Sequence, residues 1–254
     1  MSLFDLTGRV AVVTGGNGGI GLGMARGMAE AGAAIAIAGR NVKKSETAAA
    51  ELAKLGVKTT VLEVDVASEA SCRKMIDDTV KRLGRLDILV NNAGINIRKP
   101  PNELALAAWK QVIDVNLTSA FICSHAAYPR MKEAGGGKII NIGSMLSIFG
   151  ASFAPAYGAS KGGVVQLTKA LAVAWAKDNI QVNAVLPGWI DTELTRKARE
   201  EVSGLNALVL MRTPAKRWGL PADHAGVAVF LAGPASDFVT GTSIPVDGGY
   251  SVQV

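Results

Sequence analysis

The sequence predicts an α/β fold, a single domain built on a doubly wound parallel sheet. Short β-branched runs alternate with longer helical patterns along the 254 residues, which is the mark of repeated strand–helix–strand units. Apolar residues make up 49% of the chain and aromatic residues only 5%. The core is therefore Ala, Val, Ile and Leu, which suits parallel strands buried on both faces under Ala-rich helices. No linker-like Pro/Ser/Gly tract, repeat or low-complexity segment divides the chain.

Val10-Ala11-Val12-Val13-Thr14 reads as a first strand that runs into glycines, and residues 21–31 as a small-residue helix. Strands follow at 35–38, 59–64, 86–90, 138–142, 181–186 and 243–246. Helices are expected over 42–55, 69–83, 156–176 and 221–231, with one long helical stretch over 109–133. Right-handed crossovers between these strands wind the sheet in both directions. Residues 191–220 break the alternation: they follow a strand end with mixed polarity, and are read as a substrate loop or lid.

Charged residues, at 19%, fall below the usual share of about 25%, as when part of the surface is buried between subunits. The net charge of +6 can steer anionic ligands. No basic run interleaved with aromatics points to nucleic acid. Cys72 and Cys123 form neither a CxxC nor a disulfide framework, and Cys123 and His125 sit in an apolar helical run that favours packing over metal binding. The first residues, from Met1 and Ser2 to Asp5, lack the pattern of a signal peptide, and no apolar stretch is long enough to span a membrane. A cytoplasmic protein with no membrane partner and no metal is expected.

The first strand ends in a glycine-rich turn that opens a helix: Gly15, Asn17, Gly18, Gly19, Ile20 and Gly21 are its cofactor candidates. Glycines let the backbone turn sharply against a pyrophosphate, and the helix start offers free N–H groups. The spacing Gly15-x3-Gly19-x-Gly21 differs from the commoner G-x-G-x-x-G, and no Gly-Lys-Ser/Thr follows to make a nucleotide-triphosphate loop. The second strand ends in Arg40 and Asn41 with no carboxylate, which favours a 2′-phosphate and hence NADP(H) over NAD(H). Stacking of Arg40 on adenine is the other reading. Asp65 and Val66 close the third strand, where Asp65 either accepts from the adenine amino group or caps the next helix. Asn92, Ala93 and Gly94 close the fourth and suit a backbone lying against a ligand.

Tyr157 and Lys161 are four apart and share a helix face, with small residues between them. A phenol, with a reference pKa near 10, is a poor acid/base at neutral pH, and a neighbouring ammonium lowers that value. The pair thus offers a tuned proton donor and acceptor. Ser144 precedes Tyr157 by thirteen positions and follows the fifth strand.

Taken in order, Gly15-x3-Gly19-x-Gly21, Asp65-Val66, Asn91-Asn92-Ala93-Gly94, Asn116, Ser144-x12-Tyr157-x3-Lys161 and Pro187-Gly188 resemble the short-chain dehydrogenase/reductase family over nearly the whole chain. The resemblance implies a Rossmann-type seven-stranded sheet and a homotetramer packed through the segment around Val246-Asp247-Gly248-Gly249. It implies that Tyr157 moves the proton and that Lys161 lowers its pKa and holds the nicotinamide ribose. Ser144 would bond the substrate oxygen, and Asn116 would help hold a water. Pro187, Gly188, Ile190 and Thr192 would border the nicotinamide.

Within the family, Lys138-Ile139-Ile140-Asn141-Ile142-Gly143-Ser144-Met145-Leu146-Ser147 and Arg212-Thr213-Pro214-Ala215-Lys216-Arg217-Trp218-Gly219 are similar to the gluconate 5-dehydrogenase and 2-dehydro-3-deoxygluconate dehydrogenase subgroup. That subgroup often has a basic pair after the Asn-Asn-Ala-Gly turn; Arg98 matches its second member and Ile97 replaces the first. Arg98 either clamps a carboxylate or lies on the surface. Met145 and Trp189 are further substrate candidates.

Three readings follow. One is an NAD(P)-dependent oxidoreductase acting on a secondary alcohol or ketone, such as a sugar acid. Another is a 3-oxoacyl or apolar-ketone reductase whose pocket Ile95, Ile97, Met145, Leu146, Phe149 and Trp189 would line. The third is a nucleotide-sensing protein without catalysis, against which the intact Ser/Tyr/Lys/Asn set argues.

Overall fold

A computed structural model describes residues 3–253; Met1 and Ser2 lie outside the described residues. Seven strands form one all-parallel sheet in the order β3-β2-β1-β4-β5-β6-β7. They are β1 (Val10–Thr14), β2 (Ala34–Gly39), β3 (Thr59–Glu63), β4 (Ile88–Asn91), β5 (Gly137–Ile142), β6 (Ile180–Pro187) and β7 (Ser243–Val246). Between them run α1 (Gly19–Glu30), α2 (Val42–Ala53), α3 (Glu69–Leu83), α4 (Leu106–Ile113), α5 (Ser119–Glu133), α6 (Pro155–Trp175), α7 (Glu193–Glu201), α8 (Leu205–Arg212) and α9 (Ala225–Ala232).

Every residue of β1 and β6 is buried; β1 accordingly runs apolar from Val10 to Val13, whereas β6 also buries Gln181 and Asn183, whose amides donate to Asn179 Oδ1 (3.2 Å) and the Val239 carbonyl (2.7 Å). Alternate side chains still go to opposite faces. Val13, Ile35 and Ile37 join Met24, Met28 and Leu231 in one core, while Val12, Ala36 and Ala38 join Met75, Ile76 and Met131 in the other. Small residues let the outer helices close in. A Cβ on Gly23 of α1 would lie 2.1 Å from the Pro221 carbonyl oxygen, so the turn before α9 packs directly on α1 backbone.

The chain reverses its direction of travel across the sheet between β1 and β4, and the crevice at their carboxyl ends is the expected ligand site. Thr14 pins this point. Its Oγ1 donates to the Val90 carbonyl (3.2 Å) and accepts from the N–H groups of Asn92 (3.0 Å) and Ala93 (3.1 Å).

Two helical segments differ from the sequence expectation. Residues 109–133 are not one regular helix: a π-helical turn, Asp114–Thr118, separates α4 from α5, with the Ser119 N–H donating five residues back to Asp114. Such turns recur at functional sites. Residues 191–220 are not an irregular loop but carry α7 and α8. The ends of this excursion are tied together by Asp191 N–H to Gly219 O (2.8 Å) and Gly219 N–H to Trp189 O (2.9 Å). Its small core of Ala198, Leu205 and Val209 packs on Trp189 and Trp218. Helix α7 buries little besides Ala198, so its sequence carries no strong apolar stripe.

His224 is fully buried before α9, and neither ring nitrogen meets a hydrogen-bond partner among the described residues. Burial pushes its pKa below the ordinary 6.5, with the Leu220 backbone and Asp223 pulling the other way. The folded state therefore resists the proton that the unfolded chain accepts. Stability from this site is present above about pH 6.5 and is lost as the pH falls below it. Between pH 7 and pH 5 the melting temperature should drop more in the parent than in His224→Leu; equal drops would refute this.

Candidate active site

Two adjoining cavities open at the carboxyl ends of β1, β4, β5 and β6. The first is a cleft of about 550 Å³ bordered by Gly15, Asn17, Gly18, Gly19, Ile20, Arg40, Asn92, Ala93, Gly94, Pro187, Gly188, Ile190 and Thr192. A neighbouring recess of about 270 Å³ adds Asn41, Asp65 and Val66. The sequence-nominated cofactor residues are thus brought together, except Gly21. A Cβ there would lie 2.4 Å from Asn92 Nδ2, so Gly21 serves the approach of α1 to β4 rather than the cleft. Asn92 Nδ2 donates to the carbonyls of Thr14 (2.9 Å) and Gly15 (3.1 Å), which holds the glycine turn against β4. Gly15 (φ 64°) and Gly19 (φ 51°) adopt the left-handed backbone that this turn needs.

The end of β2 presents cations and no acid. Arg40 is exposed and forms no ion pair among the described residues. Lys44 of α2 supplies a second basic group that the glycine turn itself does not offer, with its Nζ 3.3 Å from where a Gly18 Cβ would be. Lys44 also pairs across the cleft with Glu193 at 3.0 Å. Its place in the first turn of α2, just after the strand end that carries Arg40, was the signal available in the sequence. Asp65 Oδ1 accepts from the Ala67 N–H (3.1 Å), so it is at once a local cap and a wall of the recess.

The second cavity, about 580 Å³, shares Ser144, Tyr157, Pro187 and Gly188 with the cleft. Tyr157 and Ser144 thus stand at the junction. Ser144 lies at the start of a short helical turn and its Oγ accepts from the Leu146 N–H (3.1 Å). Lys161 is buried, donates to the Ile142 carbonyl (2.7 Å) and sits 5.6 Å from the centre of the Tyr157 ring. Burial lowers its pKa to about 8. Burial raises the Tyr157 phenol, against a hydrogen bond from Ser144 and the charge of Arg98. The sequence expectation of an ammonium-depressed phenol is therefore not what this geometry gives: Lys161 is directed to a carbonyl, and desolvation outweighs the neighbouring charges.

Asn116 lies in the π-helical turn behind this pair. Its Nδ2 donates to the Ile95 carbonyl (2.9 Å) and Ser160 Oγ (3.0 Å), and its Oδ1 accepts from the Ile95 N–H (2.8 Å). Both amide hydrogens are engaged. A Cβ on Gly94 would lie 3.2 Å from Asn116 Oδ1 and 3.6 Å from Lys161 Nζ, so glycine is what lets the three meet.

The second cavity holds Arg98, Met145 and Trp189, and also Asn96, Phe149, Arg212 and Tyr250. Ile95 and Ile97, expected in an apolar pocket, do not line it; the alternating Asn96 and Arg98 do. Arg98 is not a free clamp. It pairs with Glu201 of α7 at 2.8 Å and donates to the Leu194 carbonyl at 3.3 Å. Arg212 was missed as a site residue because only the tertiary fold brings the end of α8 to Ser144. Leu194 and Thr195 at the start of α7 border both cavities.

A family model described as Enoyl-(Acyl carrier protein) reductase matches residues 15–251. The chain is 43% identical over 251 residues to the 2-dehydro-3-deoxy-D-gluconate 5-dehydrogenase of Escherichia coli (strain K12), covering 98% of each. It is 40% identical over 252 residues to the 5-keto-D-gluconate 5-reductase of the same strain, covering 99% of each. A crystal structure of a gluconate 5-dehydrogenase from Burkholderia cenocepacia J2315 in complex with NADP and tartrate superposes with a TM-score of 0.94 at 42% identity, over 99% of this chain and 98% of that one.

Proposed function

The chain belongs to the short-chain dehydrogenase/reductase family, and from that premise we propose that it interconverts a hydroxyl and a keto group on a sugar acid with NADP(H). It is an NAD(P)-dependent oxidoreductase of secondary alcohols and ketones. The observation that carries the substrate reading is the cavity itself: two arginines and no carboxylate line it, next to the hydroxyls of Ser144 and Tyr157. An apolar ketone is the second reading, supported by Phe149, Phe153, Leu205 and Leu208 on the same wall.

NADP supplies the hydride acceptor or donor when bound, and the glycine turn, Arg40 and Lys44 are the residues that would hold it. The chain's own part is proton transfer and positioning. Ser144 Oγ donates to the substrate oxygen and steadies its developing charge. The Tyr157 hydroxyl gives a proton to that oxygen on reduction and takes it on oxidation. Lys161 borders the cofactor cleft beside the Tyr157 ring, where its charge offsets part of the burial cost of the phenolate without overcoming it, and Asn116 is a positioning residue that fixes Ile95 and the Tyr157 helix through Ser160.

Residues 191–220 act as the lid. Burial of surface between copies of the chain, as in a homotetramer, is supported by the exposed Phe121, Val173 and Phe238 and the low charged fraction. Among the described residues no helix is long and apolar enough to cross a membrane.

A panel of D-gluconate, other sugar acids, polyols and cyclic ketones, followed by nicotinamide absorbance with both cofactors, tests the reading. Turnover of a sugar acid with NADP is expected. Replacing Arg40 and Lys44 by alanine should cut kcat/KM for NADP by about 10- to 100-fold, the worth of charge-assisted phosphate contacts, and leave NAD little changed. A parent enzyme that uses NAD as well as NADP would overturn the cofactor choice.

A further inference from the structure

Resting on the reading of this cavity as a sugar-acid site, we propose that Arg212 receives the substrate carboxylate and thereby sets which hydroxyl meets Tyr157. Arg212 ends α8 and is half-buried in the cavity wall. Its guanidinium lies 4.3 Å from the Tyr250 ring centre and 5.0 Å from that of Phe149. Two aromatic faces fix the plane of the fork without using its hydrogen-bond donors. Among the described residues it has no ion-pair or hydrogen-bond partner, and no Asp or Glu lines the cavity.

The other cation in the cavity is already satisfied, since Arg98 is paired with Glu201. A partly desolvated cation with no counter-ion is costly, and an anion of matching planar geometry relieves that cost. A carboxylate offers two acceptor oxygens to the free fork. Asn96 supplies a second unmet group. It lines the same cavity, and its Oδ1, buried without a partner among the described residues, would need only a side-chain rotation to accept from a substrate hydroxyl. Cation, acceptor and the Ser144/Tyr157 hydroxyls together describe a polyhydroxy monocarboxylate, and a volume of about 580 Å³ accommodates a six-carbon chain. With the carboxylate held at a fixed point, the carbon that reaches Tyr157 is set by its distance along the chain.

D-gluconate and D-glucitol are six-carbon probes that differ in charge at one end. Each is titrated calorimetrically into the NADPH-loaded enzyme, which cannot oxidise it, and kcat and KM with NADP are measured in parallel. Arg212→Gln should weaken gluconate binding and raise its KM by about 10- to 100-fold. Glucitol should change by less than about 3-fold, and the NADP Kd should not move. Arg212→Lys should recover part of the loss, because it restores charge without the fork.

Unchanged gluconate binding in Arg212→Gln, or equal losses for both probes, overturns the assignment. So does a parent enzyme that does not bind gluconate. A parent that binds gluconate but never oxidises it refutes the proposed reaction, while the glutamine variant still decides the anchor by affinity alone.

Discussion

Tyr157→Phe is expected to yield a folded, NADP-binding protein whose kcat is lower by about 10²- to 10⁴-fold, the usual worth of a positioned acid/base. The substitution removes one oxygen at the junction of the cofactor cleft and the substrate cavity and keeps the ring that Lys161 faces. Because burial holds the phenol above its ordinary value, oxidation of the alcohol should accelerate as the pH rises and more phenolate forms. The variant's residual rate should lack that slope. Near-full turnover in Tyr157→Phe would move the proton-transfer role elsewhere.

Lys161→Met should reduce kcat by at least about 100-fold and also change how stability responds to pH. The folded pKa of Lys161 is about 8, below the ordinary 10.5. Between these values the unfolded chain holds a proton that the folded one has released, so stability rises with pH across that window. Below pH 8 the burial cost is present in full. From pH 8 to 10.5 the parent should therefore gain about 3 kcal/mol relative to the methionine variant. Denaturant titrations at both ends of the window measure the difference. A parent-minus-variant gap that stays flat would mean that Lys161 keeps an ordinary pKa in its burial site.

The sheet was legible because burial on both faces writes itself into sequence as Val/Ile/Ala-rich runs, continuous in β1 and β2 and interrupted in β5 and β6 by the buried Lys138, Asn141, Gln181 and Asn183. The cofactor turn was legible because its glycines answer to local backbone needs. What escaped were features made by distant partners. Arg98 meets Glu201 across 103 positions, and nothing near Arg98 announces that. Arg212 closes α8, and only the fold sets it against Phe149 and Tyr250. The π-helical turn also left no trace, since Asp114–Thr118 has the apolar spacing of ordinary helix. Lys44 stands in the first turn of α2, close after Arg40, and could have been read from its place at the end of β2.

Helix α7 has a consequence for how the two ligands influence each other. Leu194 and Thr195 form part of the wall of both cavities, and the same helix is tied at one end to Lys44 through Glu193 and at the other to Arg98 through Glu201. One helix thus borders both sites and is anchored beside each of them. By linkage, whatever factor NADP contributes to the affinity for the acid, the acid must return to the affinity for NADP. If α7 carries that coupling, cutting either of its ion pairs should bring the shared factor closer to one, read equally as the effect of NADP on the acid's Kd and of the acid on the NADP Kd.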